Sequence, residues 1–262
     1  MDEYLVFAKN LARDAGAIMR EHFQIGVTTE MKASEGNTPV TIADKTINAH
    51  IIEAVAKTYP THAVLGEEQS LDKADAPYVW VCDPIDGTIP YAAGVPTNVF
   101  SLALVDTSDG QPKVAVVYDP YLDRIYHAVQ GSGAFVNGVP IHVNNVVSIK
   151  DAMIGNSSIR SPYVDAFAFK SEIMKLSFRQ LNFSSAIYEA MLVASGQLAA
   201  QIFVGVGAHD VATSKLIVTE AGGMATNLFG NEQRYDGTVC GALFSNGVIH
   251  DELVALARTY KL

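Results

Sequence analysis

Apolar residues Leu5, Ala8, Leu11, Ala12, Ala15, Ile18 and Met19 recur three and four positions apart, with charges between them. That spacing predicts an amphipathic helix over residues 3–23. A short strand is expected over 27–31 after Gly26, and Ser34-Glu35-Gly36-Asn37-Thr38-Pro39 reads as a polar, mobile loop. A second helix begins near Thr41, an N-cap whose partner Asp44, three residues on, fits a capping box with Asp in place of Glu. Ile47, Ile51, Ile52 and Val55 form its buried face, and Tyr59-Pro60 stops it. The apolar residues then gather into short runs, read as strands at 62–66, 79–88, 99–105, 114–118, 125–129, 134–136 and 141–143. Asp109-Gly110 and Asn137-Gly138 mark hairpin turns, so this sheet should be largely antiparallel. From about Asp151 the pattern changes: strands at 153–155, 201–204 and 242–244 alternate with helices at 162–174, 184 or 185 to 194, 210–221 and 248–259. Gly222-Gly223 closes the third of those helices. The chain therefore reads as α/β. The break near 145–151 is a candidate boundary between subdomains 1–147 and 148–262.

Composition adjusts this picture in three places. At 262 residues, 49% apolar and 18% charged, the chain can bury a sizeable core as one large domain or two small ones. A formal net charge of -10 offers no basic stripe, which argues against nucleic-acid and anionic-membrane partners. It leaves an anionic substrate open, because carboxylates that hold a divalent cation present a positive site once loaded. Cys82 and Cys240 sit in apolar surroundings and read as reduced, buried side chains. Met1-Asp2-Glu3-Tyr4 has no basic leader pattern, and no apolar run is long enough to span a bilayer. A soluble, cytoplasmic protein is expected.

The candidate chemistry centres on Val79-Trp80-Val81-Cys82-Asp83-Pro84-Ile85-Asp86-Gly87-Thr88. An apolar strand ends in two carboxylates held on a rigid edge; Pro84 fixes the turn, and the Gly87 and Thr88 amides suit a phosphate if they open a helix. The same letters are also ordinary turn chemistry. Three further acidic positions stand where apolar elements begin or end: Asp44, Glu67 with Glu68, and Asp210 after Val204-Gly205-Val206-Gly207. Taken singly, Asp44 and Asp210 are explained as acids at helix N-termini, and Glu67-Glu68 as a solvated turn.

Taken together these residues resemble the inositol monophosphatase family. Gly66-Glu67-Glu68 and Asp83-Pro84-Ile85-Asp86-Gly87-Thr88 are similar to its first signature elements. The run from Asp210-Val211-Ala212 through Leu216-Ile217-Val218-Thr219-Glu220-Ala221-Gly222-Gly223 is similar to its second. Val40-Thr41-Ile42-Ala43-Asp44 and Gly131-Ser132-Gly133-Ala134-Phe135-Val136-Asn137-Gly138 match family segments between and before them. The resemblance covers nearly the whole chain. It implies one domain over 1–262, a layered α/β/α/β/α sandwich with a largely antiparallel N-terminal sheet, and a homodimer. It also implies an enzyme: a Mg²⁺-dependent phosphomonoester hydrolase acting on a small phosphorylated alcohol or sugar through a metal-activated water. The metal ligands implied are Glu67, Asp83, the carbonyl of Ile85, Asp86 and Asp210, for two to three Mg²⁺ ions. The catalytic residues implied are Asp44, Thr88 and Glu67. Asp86, Gly87, Thr88, Ser185 and Phe203 are the implied substrate and phosphate contacts, with Glu68 in support of the metal site.

The alcohol end departs from the pattern. Inositol-cleaving members carry a Glu seven residues before the last metal-binding Asp, where this chain has Phe203, which cannot accept hydrogen bonds from sugar hydroxyls. Asn182-Phe183-Ser184-Ser185-Ala186 replaces the usual Gly-Ser/Thr-Ala run, Ile89-Pro90-Tyr91 follows the Asp-Gly-Thr, and His209 stands where Trp is frequent. His209 reads as a partly buried neighbour of Asp210 ahead of a substrate contact, and Lys32 as a solvated loop lysine or a residue that screens the metal site or touches phosphate. These departures put the substrate in question and keep fructose-1,6-bisphosphatase, histidinol-phosphatase and 3'-phosphoadenosine-nucleotide phosphatase as alternatives. A regulatory or binding relative on the same scaffold is the non-enzyme alternative, and lithium sensitivity is a further family expectation.

Overall fold

The computed structural model describes residues 1–24, 29–32, 38–156 and 160–262, with backbone alone at 31, 32, 38 and 39. The expected helical stripe forms α1 (Asp2–His22), which buries Ala8, Leu11, Ala12, Ala15 and Met19. A hairpin of β1 (Thr29–Lys32) and β2 (Thr38–Thr41) leads into α2 (Ile42–Thr58). The Ser34 to Asn37 part of the expected loop, and the first two residues of the strand expected at 27–31, lie outside the described residues. The chain then runs through β3 (Ala63–Gly66), β4 (Tyr78–Asp86), a short α3 (Thr88–Ala92), β5 (Val99–Asp106), β6 (Gln111–Asp119), β7 (Arg124–Val129), β8 (Ala134–Val136) and β9 (Val139–Pro140). These seven strands form one sheet in chain order, antiparallel throughout except for the β3–β4 pair.

The second half contains β10 (Met153–Gly155), α4 (Ala166–Leu176), β11 (Arg179–Leu181), α5 (Ala186–Ala194), β12 (Ala200–Phe203), α6 (Ala212–Glu220), β13 (Met224–Thr226), β14 (Ala242–Ser245) and α7 (His250–Thr259). Its five-stranded sheet has the order β11-β10-β12-β14-β13, with the first three strands parallel and the last two joined antiparallel.

Side-chain alternation along the strands sets the layers. In β4 and β5, Trp80, Cys82, Phe100, Leu102 and Leu104 face a core shared with α1 and α2. Their neighbours Val79, Val81, Val99, Ala103 and Val105 face the opposite way, into a core with α5, α6 and Phe244 of the second sheet. The far face of that second sheet, with Ile154, Ile202 and Leu243, is covered by α4 and α7. The result is the α/β/α/β/α sandwich. Because both faces of both sheets are covered, the strands read as continuous apolar runs.

Local corrections have local causes. The strand expected at 141–143 is absent: Val139 and Pro140 pair with β8 instead, and the Ile141 and Val143 amides donate to Ala134 and Ala221 carbonyls at 3.0 and 3.1 Å. The helix expected at 162–174 begins later, at Ala166, because Val164 bridges to Lys261 and Asp165 caps the helix by accepting from the Ala168 amide at 3.0 Å. The helix expected from Asp210 begins at Ala212, so Asp210 precedes it. Strands β11 and β13, three residues each, carry no sequence pattern long enough to read.

Candidate active site

Asp83 and Asp86 are three apart, which in a regular strand would put them on opposite faces. The structure resolves this with a bulge. Asp83 pairs with Ser101 and Asp86 with Val99, three residues opposite two, so the extra residue returns Asp86 to the side of Asp83. Pro84, which has no amide to donate, lies inside the irregularity. Ile85 turns its side chain into the core, fully buried, while its amide donates to Asp83 Oδ1 at 3.0 Å.

Asp210 arrives from the other half of the molecule. One oxygen from each of Asp83, Asp86 and Asp210 lies within 4.8 Å of the others. Glu67 is outside that trio but adjacent. Its amide donates to the Cys82 carbonyl at 3.1 Å, and its charge raises the affinity of both Asp83 and Asp44 for a proton. Asn48, one turn beyond Asp44 on α2, donates to the Gln69 carbonyl at 3.0 Å and so ties down the turn that carries Glu67 and Glu68.

Asp86 sits on the N-terminus of α5. Its carboxylate accepts from the Ser185 hydroxyl and from the amides of Ala186, Ile187 and Tyr188 at 3.1, 2.7 and 3.3 Å. The positive end of the helix thus holds a carboxylate from the first sheet. Sequence reasoning named Ser185 as a substrate contact and missed this anchoring role. The available signal was a serine immediately before a helical pattern, which marks an N-cap but not the remote group it meets.

Asp44 belongs to the capping box of α2. Its Oδ2 accepts from the Thr41 amide at 2.8 Å and the Thr41 hydroxyl at 2.5 Å, which leaves Oδ1 facing the Thr88 hydroxyl at 3.5 Å. The same Thr88 hydroxyl lies 3.2 Å from the Ile85 carbonyl. Gly87, just before, has a φ of 91°, and a Cβ there would meet Ser185 Cβ at 3.0 Å and the Thr97 carbonyl at 3.1 Å. Only glycine fits this left-handed, crowded turn.

The electrostatics are one-sided. Burial raises the Asp83 carboxyl well above the usual range, and the charges that add to it are Glu67, Asp86, Asp210 and Asp44. Burial lifts Asp44 to about 7 against the Thr41 hydrogen bonds, with Glu67 and Glu68 adding to the rise. Burial also lifts Asp86 to about 6, although Ser185 and the α5 amides favour its anion. His209 Nε2 lies 3.5 Å from Asp210 Oδ2, consistent with the expected partly buried neighbour. A trio of carboxylates gathered together, two of them buried and the third half-buried, fits a divalent cation.

Phe203, the position of the missing Glu, is 6% exposed and packs in the core between the sheets, its ring against Gly205. It fills its place with apolar packing and offers no acceptor. Lys32 lies in β1, and its side chain is outside what is described. No helix among the described residues is long and apolar enough to cross a membrane.

The whole chain is similar to known proteins. It is 32% identical over 255 residues to the fructose-1,6-bisphosphatase/inositol-1-monophosphatase of Thermotoga maritima, covering 97% of this chain and 95% of that protein. It is 30% identical over 243 residues to the Nus factor SuhB of Pasteurella multocida, covering 88% and 87%. Among solved structures, the Thermotoga maritima IMPase superposes with a TM-score of 0.87 at 31% identity, over 99% of this chain and 98% of that one. The model of the inositol monophosphatase family matches residues 1–262. With its fold, its carboxylate trio and matches along its full length, the chain belongs to the inositol monophosphatase family, a phosphatase-type family.

Proposed function

We propose that this protein is a Mg²⁺-dependent phosphomonoester hydrolase that releases phosphate from a small phosphorylated alcohol or sugar. The observation that carries the reading is the Asp83, Asp86 and Asp210 trio within 4.8 Å, beside the Asp44 and Thr88 pair. Asp83, Asp86, Asp210, Glu67 and the Ile85 carbonyl would hold two to three Mg²⁺ ions. When bound, these ions would withdraw charge from the phosphoryl group and make water more acidic. Asp44 Oδ1, with Oδ2 already committed to Thr41, is left to take a proton from water that the Thr88 hydroxyl orients. The Gly87 and Thr88 amides would hold the phosphate, and the α5 N-terminus would keep Asp86 aimed at the site. Ser185 and Phe203 would border the substrate, with Phe203 selecting against dependence on a hydroxyl contact at that point.

The same reading takes the chain as one domain with halves near 1–147 and 148–262, supported by a core that draws on both sheets. It places the enzyme in the cytoplasm as a homodimer, with no nucleic-acid or membrane partner, in line with the net charge of -10. The Thermotoga relative's double name favours testing inositol phosphate and fructose bisphosphate first. A phosphate-release screen over these, histidinol phosphate and phosphoadenosine compounds tests the reading; no release from any of them at millimolar Mg²⁺ would sink it. The similarity to Nus factor SuhB supports a second reading, a regulatory role on the same scaffold. Retention of every implied ligand together with Asp44 and Thr88 favours the enzyme.

A further inference from the structure

We propose that the cavity between α1 and the β7–β9 edge of the first sheet is a second, metal-independent site for a phosphate-type oxyanion. The cavity measures about 310 Å³, and its wall includes Lys9 and Arg13 from α1, Asp123 and His127 around β7, and the Asn137-Gly138 turn. None of these residues belongs to the carboxylate site.

Lys9 and Arg13 are one helical turn apart, a like-charge spacing that works against the helix. Neither finds an ion-pair partner among the described residues, in a chain whose 28 Asp and Glu outnumber its 18 Lys and Arg. Burial lowers the Lys9 ammonium, and Arg13 lowers it further. Asp123, the carboxylate on this wall, is turned to the Tyr118 hydroxyl, from which it accepts at 2.9 Å. His127 is 8% exposed, and its Nδ1 is shut off from solvent without a hydrogen-bond partner. The Ile125 carbonyl is the polar group beside the ring. Stacking on Phe135, at 5.4 Å between centroids, holds the ring in place.

Two like-charged groups, Lys9 and Arg13, therefore meet at one cavity, with the His127 ring in its wall. Burial, with Lys9 and the neighbouring Ile125 carbonyl acting in opposite senses, pushes His127 down to about 4, so the ring is neutral while the cavity holds no anion. A tetrahedral dianion answers both cations together, where a chloride would answer one, and its charge beside the His127 ring favours proton uptake there. Asn137 accepts from the Ile125 amide and donates to the Asp123 carbonyl, at 2.8 Å each, and so holds the shape of the wall. A Cβ built on Gly138 would meet nothing within 4 Å, which leaves the mouth of the turn open. The volume exceeds that of a phosphate ion, so a phosphate carrying a small organic group also fits.

Thermal unfolding in EDTA tests the site without the metal centre. Inorganic phosphate and glycerol 2-phosphate are compared separately with NaCl at matched ionic strength. At ten times its Kd the bound anion should raise the Tm by about 3–6 °C. Lys9→Gln with Arg13→Gln should fold normally and abolish that rise. At one common concentration, equal shifts with the two ligands identify free phosphate as the occupant, and a larger shift with the ester identifies a phosphorylated metabolite. In the unaltered protein, the ¹⁵N shifts of the His127 ring should report proton uptake when phosphate is added. A rise that survives in the double variant, no rise beyond NaCl, or an unchanged His127 ring overturns the proposal.

Discussion

Removing the Asp44 charge should stabilise the metal-free protein, and the pH dependence of that gain is set by burial. Asp44 ionises at about 7 in the fold against a reference value of 3.8. Its folded-state affinity for a proton is raised, so its contribution is full below the unfolded value and lost as pH climbs through about 7. A shift of about 3 units corresponds to on the order of 4 kcal/mol at pH 8, a large part of a typical domain's stability. The perturbation is Asp44→Asn, which keeps an oxygen for the Thr41 amide and removes the titration. The assay is thermal unfolding in EDTA at pH 5 to 8 for both proteins. Buried His62, His127 and His250, whose proton affinities are lowered, act in the opposite sense: their contribution is present above the unfolded value near 6.5 and lost as pH falls. They are common to both proteins and cancel in the difference. The variant should gain on the wild type with rising pH, by roughly 10 °C at pH 8. Parallel curves over the whole range would refute the assignment of Asp44 as a desolvated carboxylate among like charges.

The other expectations concern the supports of the site. Ser185→Ala removes one of four donors to Asp86 and should weaken Mg²⁺ binding about tenfold; calorimetric titration that finds unchanged affinity would count against the anchoring role of α5. Gly87→Ala forces a side chain into a φ of 91° and against Ser185. Chemical denaturation should show a loss of about 1–3 kcal/mol. Thr41→Val deletes the N-cap side chain of α2, with an expected cost of about 1 kcal/mol. It also removes a donor to Asp44, so the pH at which the metal-free protein loses stability should move upward.

Legibility from sequence followed the range of the interactions. The Thr41 and Asp44 capping box spans three residues and was readable, as was the Asn137-Gly138 turn, whose two positive φ angles of 49° and 80° the hairpin requires. The layer order was implied by family resemblance and is explained by alternation in β4 and β5, where consecutive apolar residues serve different cores. The bulge that brings Asp86 beside Asp83 was not legible, because the register of β5 decides it. Nor was the seating of Asp86 on α5, which joins groups 99 to 102 residues apart. The apolar letters at 141–143 looked like a strand, yet their amides serve Ala134 and Ala221 in a connection between layers.

The proposed function rests on Asp83, Asp86 and Asp210 holding the metal that phosphate hydrolysis requires. Its most direct test is phosphate release as Mg²⁺ is titrated into EDTA-treated wild type and Asp86→Asn. Expected are no release without metal, a saturable rise with millimolar Mg²⁺ in the wild type, and a folded but inactive variant. Release that ignores Mg²⁺, or near-normal turnover by Asp86→Asn, would contradict the proposed function.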